Sequence, residues 1–471
     1  MPKKKLFIVG GGWLGVELAQ KIEGNKKARA MFDITCIDKK KVLYNNISGL
    51  QACVEPALVG GMLVSKENAC KFTKHVHAEV EAILPPGAEE NTSATRPAIK
   101  LKARKTPVEC DYVVIATGTQ YTFPGKVPWW IGTSACTRLY EKIRDSIAKA
   151  ESVTVVGGGP VGCELAGAIA SAFPEKAISL IHKGAALCSA VRGPDLGASQ
   201  GSQKTKTSGA EGNGKYCKPK SLAKIKSELE NVGVKVVLNE EVIVDEAALK
   251  HGATHRVASV ANRSIEKAQN GELDEQKVAA AGAGEGKDGS GDGGDALADA
   301  APTIDASLFV GARNQAVAAG DAPPKKLEFM SDGISDTIKT VSGKEFKADL
   351  VFFCTGPIAN SDPYKTHFET DYRGRVCCDD QLRVFPAGQD SKPLDCVFTM
   401  GDCCGTRFDD EQNMTAGHVH RATVMANLMA VEAGTPAKMK AYKPNPYPAL
   451  VLFMGRKAGA AELFGKSYGK W

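Results

Sequence analysis

The residues in this chain best suited to chemistry include two clusters of glycines. Gly10-Gly11-Gly12-Trp13-Leu14-Gly15 and Gly157-Gly158-Gly159-Pro160-Val161-Gly162 share the spacing G-x-G-x-x-G. In that spacing the first glycine permits a tight turn and the second lets the backbone approach a pyrophosphate. The third lets a helix pack closely on a strand. Phosphate oxygens then meet the free N–H groups and the positive dipole end of the helix. Gly10, Gly12 and Gly15 therefore read as one phosphate cradle, and Gly157, Gly159 and Gly162 as another. Asp38 closes the strand that follows the first cluster. A carboxylate there can accept hydrogen bonds from ribose hydroxyls. Two such units in one chain imply two dinucleotides.

Elements must hold these residues in place, and the sequence supplies them. Leu6-Phe7-Ile8-Val9 reads as a strand, Val16, Leu18, Ala19 and Ile22 as one helix face, and Phe32 to Ile37 as a second strand. Ser152 to Val156, Glu164 to Ala172 and Ile178 to Ile181 repeat the order strand, helix, strand. Asp111 to Gly118 and Asp349 to Gly356 are apolar strands that each exit through Thr-Gly, at Thr117-Gly118 and Thr355-Gly356. Continuous apolar runs of this kind mark buried parallel strands. Val397 to Thr399 leads to Gly401-Asp402 and then to a helical run, Thr415 to Ala430. Val76 to Leu84 and Ala98 to Ala103 read as strands of a small meander. Thr137 to Ala150 and Ser221 to Glu230 read as helices, and Val234 to Leu238 as a strand. Lys326 to Met330 and Asp336 to Val341 read as a hairpin. Trp129-Trp130, in a crossover, read as packing residues.

Composition narrows the class. The chain has 471 residues, 43% hydrophobic and 24% charged, with a net charge of +6. No apolar run approaches the roughly 20 residues of a membrane span. No nucleic-acid signature appears, so no nucleic-acid partner is expected. The 14 cysteines include no CxxC, and no secretory signal precedes the first strand, which points to reduced thiols in a cytoplasmic compartment. No metal site is expected. Ala186 to Tyr216 reads as a surface insertion. Asp245 to Pro324 loses all pattern, and its Ala/Gly/Asp-rich part has too little apolar area to offset the entropy of ordering. Lys438 to Trp471 reads as a capping region.

The full set now resembles a known family. Gly10-x-Gly12-x-x-Gly15, Ala116-Thr117-Gly118, Gly157-x-Gly159-x-x-Gly162-x-Glu164, Thr355-Gly356 and Gly401-Asp402 are similar to the motifs of the two-dinucleotide-binding-domain flavoproteins. Phe123-Pro124-Gly125-Lys126, Ala441-Tyr442-Lys443-Pro444 and Met454-Gly455-Arg456 resemble the apoptosis-inducing-factor-like, ferroptosis-suppressor type. The resemblance implies an α/β protein with two Rossmann-like domains. An FAD domain (1–125 and 349–437) is split around an inserted NAD(P)H domain (126–348, with insertions near 186–216 and 245–324), and 438–471 caps them. It implies FAD on Gly10, Gly12, Gly15, Asp38 and Asp402, NADH or NADPH on Gly157, Gly159 and Gly162, and further cofactor contacts at Thr117, Gly118, His182 and Gly356. Glu164 would stand on the nicotinamide side of the flavin, and Lys443 would face the flavin or the acceptor. Where relatives that prefer NADH carry an acid, this chain has His182 followed by Lys183, so NADPH is expected to be tolerated. The implied activity is NAD(P)H dehydrogenase with a quinone-like acceptor. A redox sensor that gates partner binding, or a reductase of a small electron-carrier protein, stays open as an alternative. So does peripheral association with a membrane surface. A disulfide-reductase mechanism is disfavoured: Cys377-Cys378 and Cys403-Cys404 read as buried structural thiols, and Cys53 lies too far along for a catalytic cysteine.

Overall fold

The computed structural model describes residues 2–66, 68–127, 133–191, 195–198, 215–243, 337–388, 392–409, 414–456 and 458–469. The segment 245–324, the hairpin strand expected over 326–330 and Trp129-Trp130 lie outside the described residues.

β1 (Lys4–Val9), α1 (Trp13–Gly24), α2 (Lys26–Met31) and β2 (Phe32–Asp38) open the chain. Leu6 to Val9 are buried, which is why the run is continuously apolar rather than alternating. A ribbon of β3 (Val42–Tyr44) and β4 (Leu63–Ser65) brackets two single-turn helices, α3 (Gly49–Ala52) and α4 (Val59–Met62). Then come β5 (Lys74–His77), β6 (Val80–Leu84), β7 (Ala98–Leu101), β8 (Val108–Glu109), β9 (Tyr112–Ile115) and β10 (Thr119–Gln120). The single meander strand expected from Val76 to Leu84 is in fact two. β5 pairs parallel with β2, and the Ala78 N–H donates to the Asp38 carbonyl at the break. Only β6 joins the antiparallel meander with β7 and β8.

The second unit holds α5 (Thr133–Lys149), β11 (Ser152–Val156), α6 (Pro160–Ala172), β12 (Ala177–Ile181), α7 (Pro219–Asn231) and β13 (Val234–Val237). A hairpin follows, β14 (Thr337–Lys339) and β15 (Glu345–Lys347), and then β16 (Leu350–Phe353). Its parallel sheet has the order β13-β12-β11-β16. This corrects the expected boundary at 348/349, because Leu350 to Phe353 pair with Val153 to Val156 and belong to the second sheet. The stretch 186–216, expected on the surface throughout, is also corrected in part. Leu187, Cys188 and Val191 are buried in the core of the second unit, and the Cys188 N–H donates to the Gly158 carbonyl.

The chain then returns through β17 (Ile358–Ala359), β18 (Val376–Cys377), β19 (Val397–Thr399), β20 (Cys404–Gly405) and α8 (Met414–Glu432). β19 completes the first parallel sheet, of order β19-β9-β1-β2-β5. β21 (Leu450–Phe453), β22 (Gly459–Leu463) and β23 (Lys466–Gly469) form the antiparallel capping sheet. Leu452, Met454 and Ala460 pack in the second unit's core, whereas Tyr442 packs in the first unit's. Among the described residues no helix is long and apolar enough to cross a membrane.

Candidate functional site

The two glycine clusters fold alike, and the same neighbour explains each. Gly10 has φ +110°, and a Cβ there would lie 2.2 Å from the Ala116 carbonyl oxygen. Gly157 has φ +109°, and its Cβ would lie 2.3 Å from the Cys354 carbonyl oxygen. The strand that exits through Thr-Gly is thus pressed against the turn in both units. The third glycines are as tightly constrained, since a Cβ on Gly15 would meet Gly10 O at 2.0 Å and one on Gly162 would meet Gly157 O at 1.9 Å. The middle glycines behave differently. Gly12 and Gly159 have no heavy atom within 4 Å of a built Cβ. Each is the N-cap of its helix with no capping side chain, and neither first turn carries an acid. Open space in front of uncapped helix N–H groups fits a dinucleotide diphosphate at both places.

The carboxylates placed near the first cradle are each engaged. Asp38 Oδ2 accepts from Lys66 Nζ at 2.7 Å, and its Oδ1 accepts from the Lys40 N–H at 2.9 Å. A Cβ on Gly11 would come within 3.1 Å of both Asp38 Oδ2 and Lys66 Nζ, so this pair borders the cradle. Burial is the largest influence on the Lys40 ammonium and brings it down to about 8. Asp402 Oδ2 accepts from Thr119 Oγ1 at 3.1 Å and lies 3.8 Å from Lys126 Nζ. Lys126 donates to the Thr119 carbonyl and hydroxyl, and burial lowers its pKa. The sequence reading missed Lys66 and Lys126 as site residues. Lys126 did have a signal, its place in the Phe123-Pro124-Gly125-Lys126 motif.

The two units meet at their Thr-Gly exits. Gly118 has φ +63° and Gly356 φ +107°, and the strands that follow, β10 and β17, pair antiparallel. Asn360, just past β17, donates its amide to the Thr117 carbonyl and its backbone N–H to the Gly118 carbonyl. This ribbon joins the carboxyl ends of both sheets, where ligands of open α/β sheets bind.

Glu164 and His182 sit in the second unit. The Glu164 Oε1 accepts the backbone N–H of Phe453 at 3.0 Å, and burial pushes its carboxyl up to about 7. His182 Nδ1 accepts the Gly158 N–H at 3.2 Å. Burial, reinforced by Lys183, holds its pKa below the ordinary histidine value, so the ring is neutral at pH 7. Lys183 is exposed and lies 3.6 Å from Glu241. Lys443 is exposed, next to Tyr442, whose ring stacks edge-on against His420. His420 Nδ1 in turn accepts the Gly401 N–H beside Asp402. All 14 cysteines are thiols, none in a disulfide. The adjacent pairs Cys377-Cys378 and Cys403-Cys404 are buried thiols, as expected, and so is Cys53. Two buried sulfur pairs come close, Cys163–Cys188 at 3.8 Å and Cys378–Cys404 at 3.6 Å.

Two parallel sheets, each with an open glycine cradle and joined at their carboxyl ends, make a two-domain dinucleotide-binding α/β fold. Residues 4–205 match the pyridine nucleotide-disulphide oxidoreductase family. The chain is 30% identical over 194 residues to apoptosis-inducing factor homolog A of Dictyostelium discoideum, covering 40% of this chain and 43% of the relative. It is 28% identical over 185 residues to ferroptosis suppressor protein 1 of Xenopus laevis, covering 39% and 45%. The aligned stretch therefore spans less than half the length of these relatives. In fold the chain is similar to the structure of NDH2 from Plasmodium falciparum in complex with NADH, with a TM-score of 0.53 and 13% identity, covering 100% of this chain and 92% of that one.

Proposed function

We propose that the chain is an FAD-dependent NAD(P)H dehydrogenase that passes electrons to a small quinone-like acceptor. The observation that carries this reading is the pair of open cradles at Gly12 and Gly159, set at the carboxyl ends of two sheets that meet through the β10–β17 ribbon. FAD, when bound, supplies the hydride-accepting and electron-passing chemistry. The N–H groups at the start of α1 would hold its diphosphate, Asp38 would serve its ribose, and Asp402, oriented by Thr119 and Lys126, would serve its ribityl chain or pyrophosphate. The start of α6 holds the NAD(P)H diphosphate. Glu164, its carboxyl raised by burial to about 7, would stand on the nicotinamide side and could hold a proton there. His182, neutral and accepting the Gly158 N–H, sets no negative charge against a 2′-phosphate, with Lys183 next to it.

The described cysteines support a direct transfer to the acceptor. Burial raises the Cys53 and Cys354 thiols, so neither offers a ready thiolate for a dithiol relay. The test is to purify the protein, read its flavin spectrum, and assay NADH and NADPH oxidation with quinone analogues, a protein disulfide and a small iron–sulfur carrier. Rapid turnover with the quinones alone is the expected result. Turnover only with a disulfide or the carrier overturns the acceptor, and a colourless protein that cannot be reconstituted with FAD overturns the whole reading.

A further inference from the structure

Glu164 is bonded from outside its own unit. Its partner is the Phe453 N–H at the end of β21, in the capping sheet. The corner that follows, Phe453 to Arg456, is fixed on two sides. Towards α6, a Cβ on Gly167 would meet Met454 Cβ at 2.6 Å, and Ser171 Oγ donates to the Met454 carbonyl at 3.2 Å. Gly455, at φ +90°, leaves no room for a side chain beside Ser171. Towards the first unit, Arg456 donates Nε and Nη2 to the two oxygens of Glu55, at 2.9 and 2.8 Å. Glu55 is itself held by Gln51 Nε2 at 2.7 Å, at the end of α3. A bidentate fork fixes direction as well as distance. The corner is thus clamped between α6 of the second unit and the α3 segment of the first, and its backbone amide meets the carboxylate at the junction.

We propose that Arg456 and Glu55 are positioning residues for reduction of the flavin by NAD(P)H, acting through the Phe453 amide on Glu164. This deepens the function proposed above and rests on it. Neither side chain touches a reacting atom. Their fork holds the corner at a fixed distance from α3, and the corner sets where the Glu164 carboxylate points. Without the fork, the described corner residues Phe453 to Arg456 keep their ties to α6, and the amide that anchors the carboxylate is held less firmly. A displacement of about 1 Å at a positioned group costs up to about 100-fold in rate.

The test is a mutant cycle on the FAD-loaded protein, with flavin reduction followed by anaerobic stopped flow. Glu164→Gln and Arg456→Ala are each expected to slow the limiting rate at least about fivefold, a loss of about 1 kcal/mol in transition-state stabilisation. In the Glu164→Gln background, Arg456→Ala is expected to change it less than about twofold, the non-additivity of two residues acting through one group. The charge swap Glu55→Arg with Arg456→Glu is expected to recover most of the rate. In resting Arg456→Ala protein, deuterium exchange at the Phe453 amide is expected to rise about tenfold, while flavin content and Tm stay unchanged. Additive losses, no rescue by the swap, or an unchanged Phe453 amide overturn the clamp. Glu164→Gln reacting at the parent rate overturns instead the role given to Glu164 on which the clamp depends.

Discussion

At the scale of the residue, Glu164 carries the sharpest prediction. Its carboxyl titrates near 7 in the folded chain because burial disfavours the charged form, with the Phe453 N–H opposing. An unfolded glutamate titrates near 4.3. Between these values the folded state holds the proton that the unfolded state has lost. This group's contribution to stability is therefore full below about pH 4.3, falls as pH rises to about 7, and is flat above that. Glu164→Gln removes this slope. From about pH 5 to about pH 7.5 the Tm of the parent is expected to fall roughly 2–4 °C further than that of the variant. Parallel curves in a thermal melt series would remove the raised carboxyl from consideration. His182 gives the second prediction. The neutral ring leaves no charge to oppose a 2′-phosphate, so His182→Glu is expected to weaken NADP+ binding about tenfold relative to NAD+, or about 1.4 kcal/mol. Calorimetric titration of the two nucleotides measures it, and an unchanged ratio counts against the assignment. The sequence identified both residues by their place after a glycine cluster or at a strand end. It could not give Glu164's partner, because Phe453 lies at the far end of the chain and donates a backbone N–H, which no residue type encodes. Lys66 escaped for a similar reason. A solvated lysine and one bonded to Asp38 look alike until the chain folds.

At the scale of the element, the cradles were legible because strand, turn and helix are contiguous and each glycine has its own steric reason. Those reasons differ, and the difference can be tested. Gly157 needs a positive φ and sits against Cys354 O, so Gly157→Ala is expected to destabilise the chain by more than about 2 kcal/mol. Gly159 has φ −77° and open space, so Gly159→Ala is expected to leave Tm within about 1–2 °C of the parent. Its methyl stands where the diphosphate must approach, and NAD(P)H affinity is expected to fall at least about tenfold while FAD is retained. Equal loss of stability in both variants, read by thermal denaturation, would contradict the distinction. The elements misread were those whose sheet is chosen by distant partners. Val76 to Leu84 reads as one strand in sequence, yet β5 pairs with β2 and β6 with β7. Leu350 to Phe353 could close either sheet by composition, and pairing with β11 decides it. Leu187, Cys188 and Val191 lie among glycines, serines and lysines, where three buried residues do not raise a periodic signal.

At the scale of the whole molecule, the C-terminal segment acts as a staple between two cores. Tyr442 is buried in the first unit, its N–H donating to the Asp380 carbonyl at 2.7 Å. Beyond it, Leu450, Leu452, Met454 and Ala460 are buried in the second unit. Glu462 accepts the Lys218 N–H at the start of α7, and Ser467 meets Ser221. Removing 438–471 therefore affects the units unequally. The first loses the Tyr442 ring, the Lys440 bonds to Asn427 and the Arg456–Glu55 fork, and keeps its sheet, α1 and α8. The second loses the residues that cover α6 and α7. Truncating a single buried Leu or Met to Ala costs about 2–5 kcal/mol. Losing Leu452 and Met454 together therefore removes much of the roughly 5–15 kcal/mol that holds a domain folded. The truncated chain is expected to keep its FAD, shown by flavin absorbance after gel filtration, and to lose NAD(P)H-driven bleaching of that absorbance. Calorimetry is expected to resolve a separate transition at lower temperature for the second unit. A single transition at the parent Tm would mean that the capping sheet lies on the second unit without supporting it.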